Sequence, residues 1–130
     1  MNAKQLYLKL SETYPNHYFG SYEELNVILD NAQMPCIVVI PVSKTVNFIA
    51  DRFKIVETVV IASLDLMELD FSTDAAYVSI KSLENQLLSD IFPFSDKIKS
   101  VQVLSELNKF DANVLFAALA LEIINDPVCN

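Results

Sequence analysis

Four carboxylates, Asp65, Glu68, Asp70 and Asp74, crowd one short stretch of the chain and are its clearest candidate for metal chemistry. Carboxylate oxygens suit a hard cation. A calcium loop of the EF-hand kind, however, needs a glycine at its sharp bend and a late bidentate glutamate. Neither stands here. The spacing instead predicts a solvated acidic turn before a helix, where negative charge favours the positive end of the helix dipole.

His17 is the only histidine. A general acid or base needs a positioned partner, and no nucleophile or second metal ligand lies near it in sequence. Tyr14, Tyr18, Phe19 and Tyr22 flank it without interleaved cations. That makes a core edge or a subunit contact the expectation, rather than a platform for stacking bases. Cys36 and Cys129 give neither a disulfide framework nor a metal spacing. Cys36 falls in an apolar run, where cysteine acts as a small buried hydrophobe.

Composition narrows the chemistry further. Gly20 is the sole glycine in 130 residues. Phosphate-binding loops, dinucleotide folds and the serine nucleophile elbow need glycines for tight turns and close backbone approach. Net charge is −8 and Arg52 is the only arginine, which argues against a surface that reads phosphates or bases. The expectation is a protein that is not an enzyme, with no catalytic, cofactor-binding or metal residues and no cofactor. Neither specific nucleic-acid binding nor a small-molecule substrate is expected. The N-terminal Met1–Leu6 stretch lacks an apolar signal core, and no run approaches a membrane span. No membrane role is expected, and the chain reads as cytosolic until assembly.

The elements around these residues form one α+β domain over 1–130, with a mostly antiparallel sheet of four to five strands packed against one long helix and an N-terminal helix. Its axis is Arg52–Ser63. Phe53 and Ile55 alternate with Lys54 before both sides turn apolar from Val59, so this strand should run from a wet margin into a covered interior. Asn2–Tyr14 reads as a helix stopped by Pro15, and Tyr18–Phe19 as a short strand. Ser21 and Glu24 have capping-box spacing before a short helix over Tyr22–Leu29. Pro35 and Pro41 bracket Cys36–Ile40, a strand covered on both faces, with the prolines expected at its ends. Ser43–Asp51 reads as a weaker strand or a loop.

Thr73–Ile91 carries the main helix, with Ala76, Ile80, Leu83, Leu87 and Ile91 as its apolar stripe and Lys81, Glu84, Asn85 and Asp90 outside. Pro93 ends it. Ile98–Leu107 reads as a strand, followed by a turn at Asn108–Asp111. For Val114–Ile124, Ala and Leu content and an Asp111 cap favour a helix. Alternation of Leu115, Ala117, Leu119, Leu121 and Ile123 favours a strand, preferred because a turn precedes it.

In this order the chain resembles a family of tail-completion and head–tail joining (neck or tail-terminator) proteins of tailed bacteriophages and prophages, particularly phages of Bacteroides-like hosts. The resemblance rests on Tyr22-Glu-Glu-Leu-Asn26, Met34-Pro-Cys-Ile-Val-Val-Ile-Pro41, Arg52-Phe-Lys-Ile-Val-Glu57, Leu66-Met-Glu-Leu-Asp-Phe71 and Phe110-Asp-Ala-Asn-Val114. It spans about Tyr18 to Ile124 and includes no catalytic signature. Such proteins often carry a glycine early in the last strand, where this chain has Val114-Leu-Phe-Ala.

The resemblance implies a structural virion protein, a subunit of a homo-oligomeric ring at the neck or upper tail that lines the DNA passage and contacts neighbouring virion proteins. It would be assembled in the bacterial host cytoplasm. An apolar content of 52%, against about 45–50% in ordinary domains, fits buried subunit contacts. The stretches Val42–Asp51 and Asp65–Asp74, at opposite ends of the central strand, are the expected contact loops. The alternative is a small dimeric α+β binding module of the host, a regulatory or immunity-like partner protein.

Overall fold

The computed structural model describes residues 1–21, 23–24, 33–66, 73–104 and 114–125. Its helices are α1 (Ala3–Ser11) and α2 (Thr73–Ile91), and its strands are β1 (His17–Phe19), β2 (Cys36–Ile49), β3 (Arg52–Leu66), β4 (Ile98–Val103) and β5 (Val114–Asn125). The five strands form one sheet in the order β1-β2-β3-β5-β4. Only the β1–β2 pair is parallel; the other three pairs are antiparallel. The α+β architecture expected from the sequence is thus the one observed.

The 15-residue β3 lies at the centre because it can pair on both sides for most of its length. Both helices cover one face of the sheet. There Leu6 and Leu10 of α1 and Ile80, Leu87 and Ile91 of α2 close over Ile37, Val39, Val59, Ile61, Leu119 and Leu121. Residues of opposite parity, Cys36, Val38, Val60, Leu64, Phe116 and Ala118, form a second buried cluster on the other face. Burial on both faces explains why the middle of β2 and β3 reads as unbroken apolar sequence. In β5 the expected face is found: Leu115, Ala117, Leu119, Leu121 and Ile123 all join the helix-side core. The strand reading of this stretch is correct, because pairing to β3 and β4 on its two sides outweighs the helical preference of alanine and leucine.

Several boundaries differ from the periodicity. The first helix ends at Ser11 rather than Tyr14. It begins with a capping box in which the Asn2 side chain accepts from Gln5 N–H at 2.8 Å and the Gln5 side chain accepts from Asn2 N–H at 2.9 Å. β4 stops at Val103, and Leu107 lies outside the described residues, as do the turn at 108–111 and most of the helix expected over Tyr22–Leu29. Within α2, periodicity places Glu84 on the wet side, yet it is buried, with its carboxylate 4.0 Å from Lys81. Glu84 sits one residue from Leu83 and three from Leu87, so its side chain shares the margin of the apolar stripe and is covered there.

Candidate functional site

The acidic stretch does not gather into a metal site. Asp65 lies half-buried at the end of β3 and Asp74 is exposed in the first turn of α2, while Glu68 and Asp70 fall outside the described residues. Among the described residues no three metal-capable side chains come together.

His17 is taken up by the fold. Its Nδ1 shares a 2.8 Å hydrogen bond with the Tyr7 hydroxyl, and the two rings meet edge to face at 5.5 Å. Phe19 packs on Tyr7 at 5.2 Å, and Lys4 sets its ammonium 5.0 Å from the Tyr7 ring and 4.8 Å from the Phe19 ring. A cation does therefore meet the aromatic cluster, supplied by α1 across the fold rather than by the flanking sequence. The cluster fastens α1 to β1. Cys36 is fully buried; burial, and then the negative charge of Asp65, push its thiol up to about 11, which keeps it protonated and inert.

Among the described residues, the far half of the β2–β3 hairpin is left uncovered. β2 does not stop at Pro41. It continues to Ile49, so the predicted loop Val42–Asp51 is largely strand, closed by a two-residue turn at Ala50 and Asp51. Ala50 has a φ of 53°, in the left-handed region where glycine is usual. Pro41 is tolerated inside the strand because the pairing breaks beside it: Pro41 faces Val59 and Ser43 faces Thr58, leaving Val42 as the extra residue of a bulge.

That bulge changes which residues of β2 face the helices. Before it, odd positions Ile37 and Val39 enter the helix-side core. After it, Lys44, Val46 and Phe48 stand opposite Glu57, Ile55 and Phe53, and opposite residues share a face. The apolar face thus continues past the point where the helices end. Glu57 marks the limit: its carboxylate accepts from the first turn of α1, and the residue is only 4% exposed. Beyond it Val46 is 45% and Phe48 is 82% exposed, with Phe48 and Phe53 rings 6.5 Å apart. Ile49, Phe53 and Ile124 border a hollow of about 340 Å³, with Arg52 and Lys54 beside it.

Charge divides the same way. Residues 41–54 hold Lys44, Arg52 and Lys54 against Asp51, a net charge of +2, which leaves −10 on the rest of the chain. The protein's one arginine therefore stands at the tip of a basic, apolar ribbon, paired with Ile49 beside the Ala50–Asp51 turn.

A second apolar depression, of about 370 Å³, lies at the opposite edge of the sheet between the end of α2, the 3-10 turn Phe92–Lys97 and β4. Leu88, Phe92 and Val101 on its walls are exposed. The ribbon could have been anticipated from Val46, Phe48 and Ile49 flanking a two-residue turn. The depression at β4 could not, because it joins residues from three elements. A scan against protein-family models matches no family, and a search of curated proteins finds no matching relative.

Proposed function

We propose that this chain is a structural virion protein, a ring-forming subunit at the neck or upper tail of a tailed bacteriophage that serves in head–tail joining or tail completion. The observation that carries this reading is the ribbon, which extends the helix-side apolar face beyond its helices with Val46 and Phe48 exposed to solvent, and exposes Ile49 on its other face. An exposed apolar surface of this kind is costly for an isolated domain and is the usual mark of a partner surface. The resemblance of the chain to tail-completion proteins supplies the kind of partner, neighbouring copies and virion proteins. A net charge of −10 outside residues 41–54 suits a passage that DNA must traverse without sticking, since like charge lowers the local phosphate concentration.

Mass spectrometry of purified phage particles, together with deletion of the gene, tests the proposal. The chain should be present in particles at a fixed copy number, and deletion should leave heads and tails unjoined or tails incomplete. Absence from particles, with normal infectivity after deletion, would overturn it. A gene neighbourhood of portal, capsid and tape-measure genes is the corresponding genomic outcome. A stable closed dimer that ignores every virion protein would instead support the host binding module.

A further inference from the structure

β3 outruns its neighbour and leaves a notch. β5 pairs with β3 as far as Asn125 opposite Ile55, while β3 starts at Arg52. Arg52, Phe53 and Lys54 thus pair with β2 on one side and with no described strand on the other. Together with Ile49, Ile124 and Asn125 they line the hollow of about 340 Å³.

Strand alternation fixes which groups face the notch. On β5 the Ala118 carbonyl accepts from Leu104 N–H and the Ile124 carbonyl from the Met1 ammonium, so even residues turn their main chain away from β3. Odd residues, Asn125 included, turn theirs towards it, and Ile55 answers in kind. Two residues along β3, Phe53 therefore points its own N–H and C=O into the notch. Arg52 and Lys54, on either side of Phe53, project from the sheet face opposite the helices, as Val60 and Ala62 do. Neither cation has a carboxylate partner among the described residues. Asn125 adds a separate signal: its Oδ1 is buried and receives no hydrogen bond among the described residues. A buried acceptor left without a donor is costly.

We infer that this notch is a docking site for an extended acidic segment of a partner protein, of the pattern Asp/Glu-x-Asp/Glu. The middle residue exchanges main-chain hydrogen bonds with Phe53, a strand addition confined to one pair. Its two neighbours then set their carboxylates on the face of Arg52 and Lys54, because the side-chain period of both strands is two. Arg52 can hold a carboxylate through two N–H groups, and Lys54 holds the other as a point charge. The middle side chain stands on the Phe53 side, where a hydroxyl or amide of that residue can donate to Asn125 Oδ1. Ile49 and Ile124 flank the cations and accept apolar residues further along the segment. Free phosphates or carboxylates would meet the cations and leave the Phe53 main chain and Asn125 Oδ1 unmet. An apolar strand would meet the main chain and leave both cations unpaired. The site goes beyond the virion reading and does not rest on it.

Fluorescence anisotropy with the full-length chain tests the site. A labelled probe, Ser-Val-Asp-Thr-Asp-Val-Ser, should bind, and more weakly as salt is added. Arg52→Glu and Lys54→Glu should each weaken binding by at least about tenfold, as loss of one member of a close charge pair does. Lys9→Glu, which changes net charge equally from an exposed position on α1, should bind the probe as wild type does. Methylating the main-chain nitrogen of the central threonine removes the donor to the Phe53 carbonyl and should also cost at least about tenfold. Arg52, Lys54 and Lys9 are exposed, so circular dichroism and thermal melts of the variants should match wild type. Failure of the wild-type chain to bind the probe would overturn the inference. Equal losses in Lys9→Glu and Arg52→Glu would do the same, since they would report general charge rather than a site. So would full binding of the methylated probe, or its unmethylated form being displaced as readily by single-stranded oligothymidylate as by unlabelled peptide.

Discussion

Glu57, in the middle of the central strand, accepts the backbone N–H of Ala3 at 2.8 Å, across 54 residues of sequence. Ala3 is the first helical residue of α1, whose opening N–H groups have no partner within the helix. A buried carboxylate at that place satisfies one of them and meets the positive end of the helix dipole. The same side chain closes the helix-covered part of the sheet, next to the bare ribbon.

Removing that acceptor should therefore loosen α1. Glu57→Ala leaves a buried donor unsatisfied and is expected to cost about 1–3 kcal/mol in urea unfolding. Glu57→Gln retains an acceptor and should lose less, about 0.3–1 kcal/mol, the share of the charge at a helix end. Equal midpoints for wild type and Glu57→Ala would show that α1 does not depend on this contact.

Burial along α2 sets an order of losses. Leu87 is fully buried between helix and sheet, whereas Leu83 is partly covered. Leu87→Ala is expected to cost about 2–5 kcal/mol, as buried leucine truncations do. Leu83→Ala should cost less than Leu87→Ala, and Asn85→Ala, on the exposed side, less than about 0.5 kcal/mol. Urea midpoints of the three variants check the order.

Tyr14 gives the protein an alkaline weakness. Its hydroxyl donates to Asp90 Oδ2 at 2.5 Å, and the other oxygen of Asp90 accepts from Gln86 at 2.9 Å. Burial first, then the hydrogen bond and the negative charge of Asp90, raise the phenol well above its ordinary value near 10. A raised folded-state pKa contributes stability that is fully present below about pH 10 and is lost as pH climbs past it towards the folded value. Tyr14→Phe should be less stable than wild type at pH 7, and the gap should narrow above pH 10. Melting temperatures of both proteins across pH 7 to 11 provide the check.

Cys36 should behave as a sealed thiol. With its pKa pushed up to about 11 and no exposed surface, it has almost no thiolate at pH 8 and no path to reagent. In a Cys129→Ser background, Ellman's reagent should leave the native protein unmodified and titrate one thiol after denaturation. Rapid modification of the native form would show that the strand centre opens.

Elements whose patterns are local and repeated were legible in the chain alone. Thr73–Ile91 matches the observed helix from end to end because a 3.6-residue stripe bounded by Thr73 and Pro93 needs no distant partner to be recognised. Arg52–Ser63 shows as a central strand because its change from alternating to fully apolar records the passage from ribbon into covered sheet. Which residues of β2 face the helices depends instead on long-range pairing. A single extra residue, Val42, reverses the parity after Pro41, and only the register against β3 shows that a bulge is there. Glu57 and Lys4 look in sequence like ordinary surface charges. Their partners, the first turn of α1 and the rings of Tyr7 and Phe19, lie on separate elements that meet only in the fold. The depression at β4 has the same origin, since its walls come from the end of α2, a 3-10 turn and an edge strand that no sequence window contains. Periodicity reports which face an element buries, and the chain must close before it is settled what that face meets.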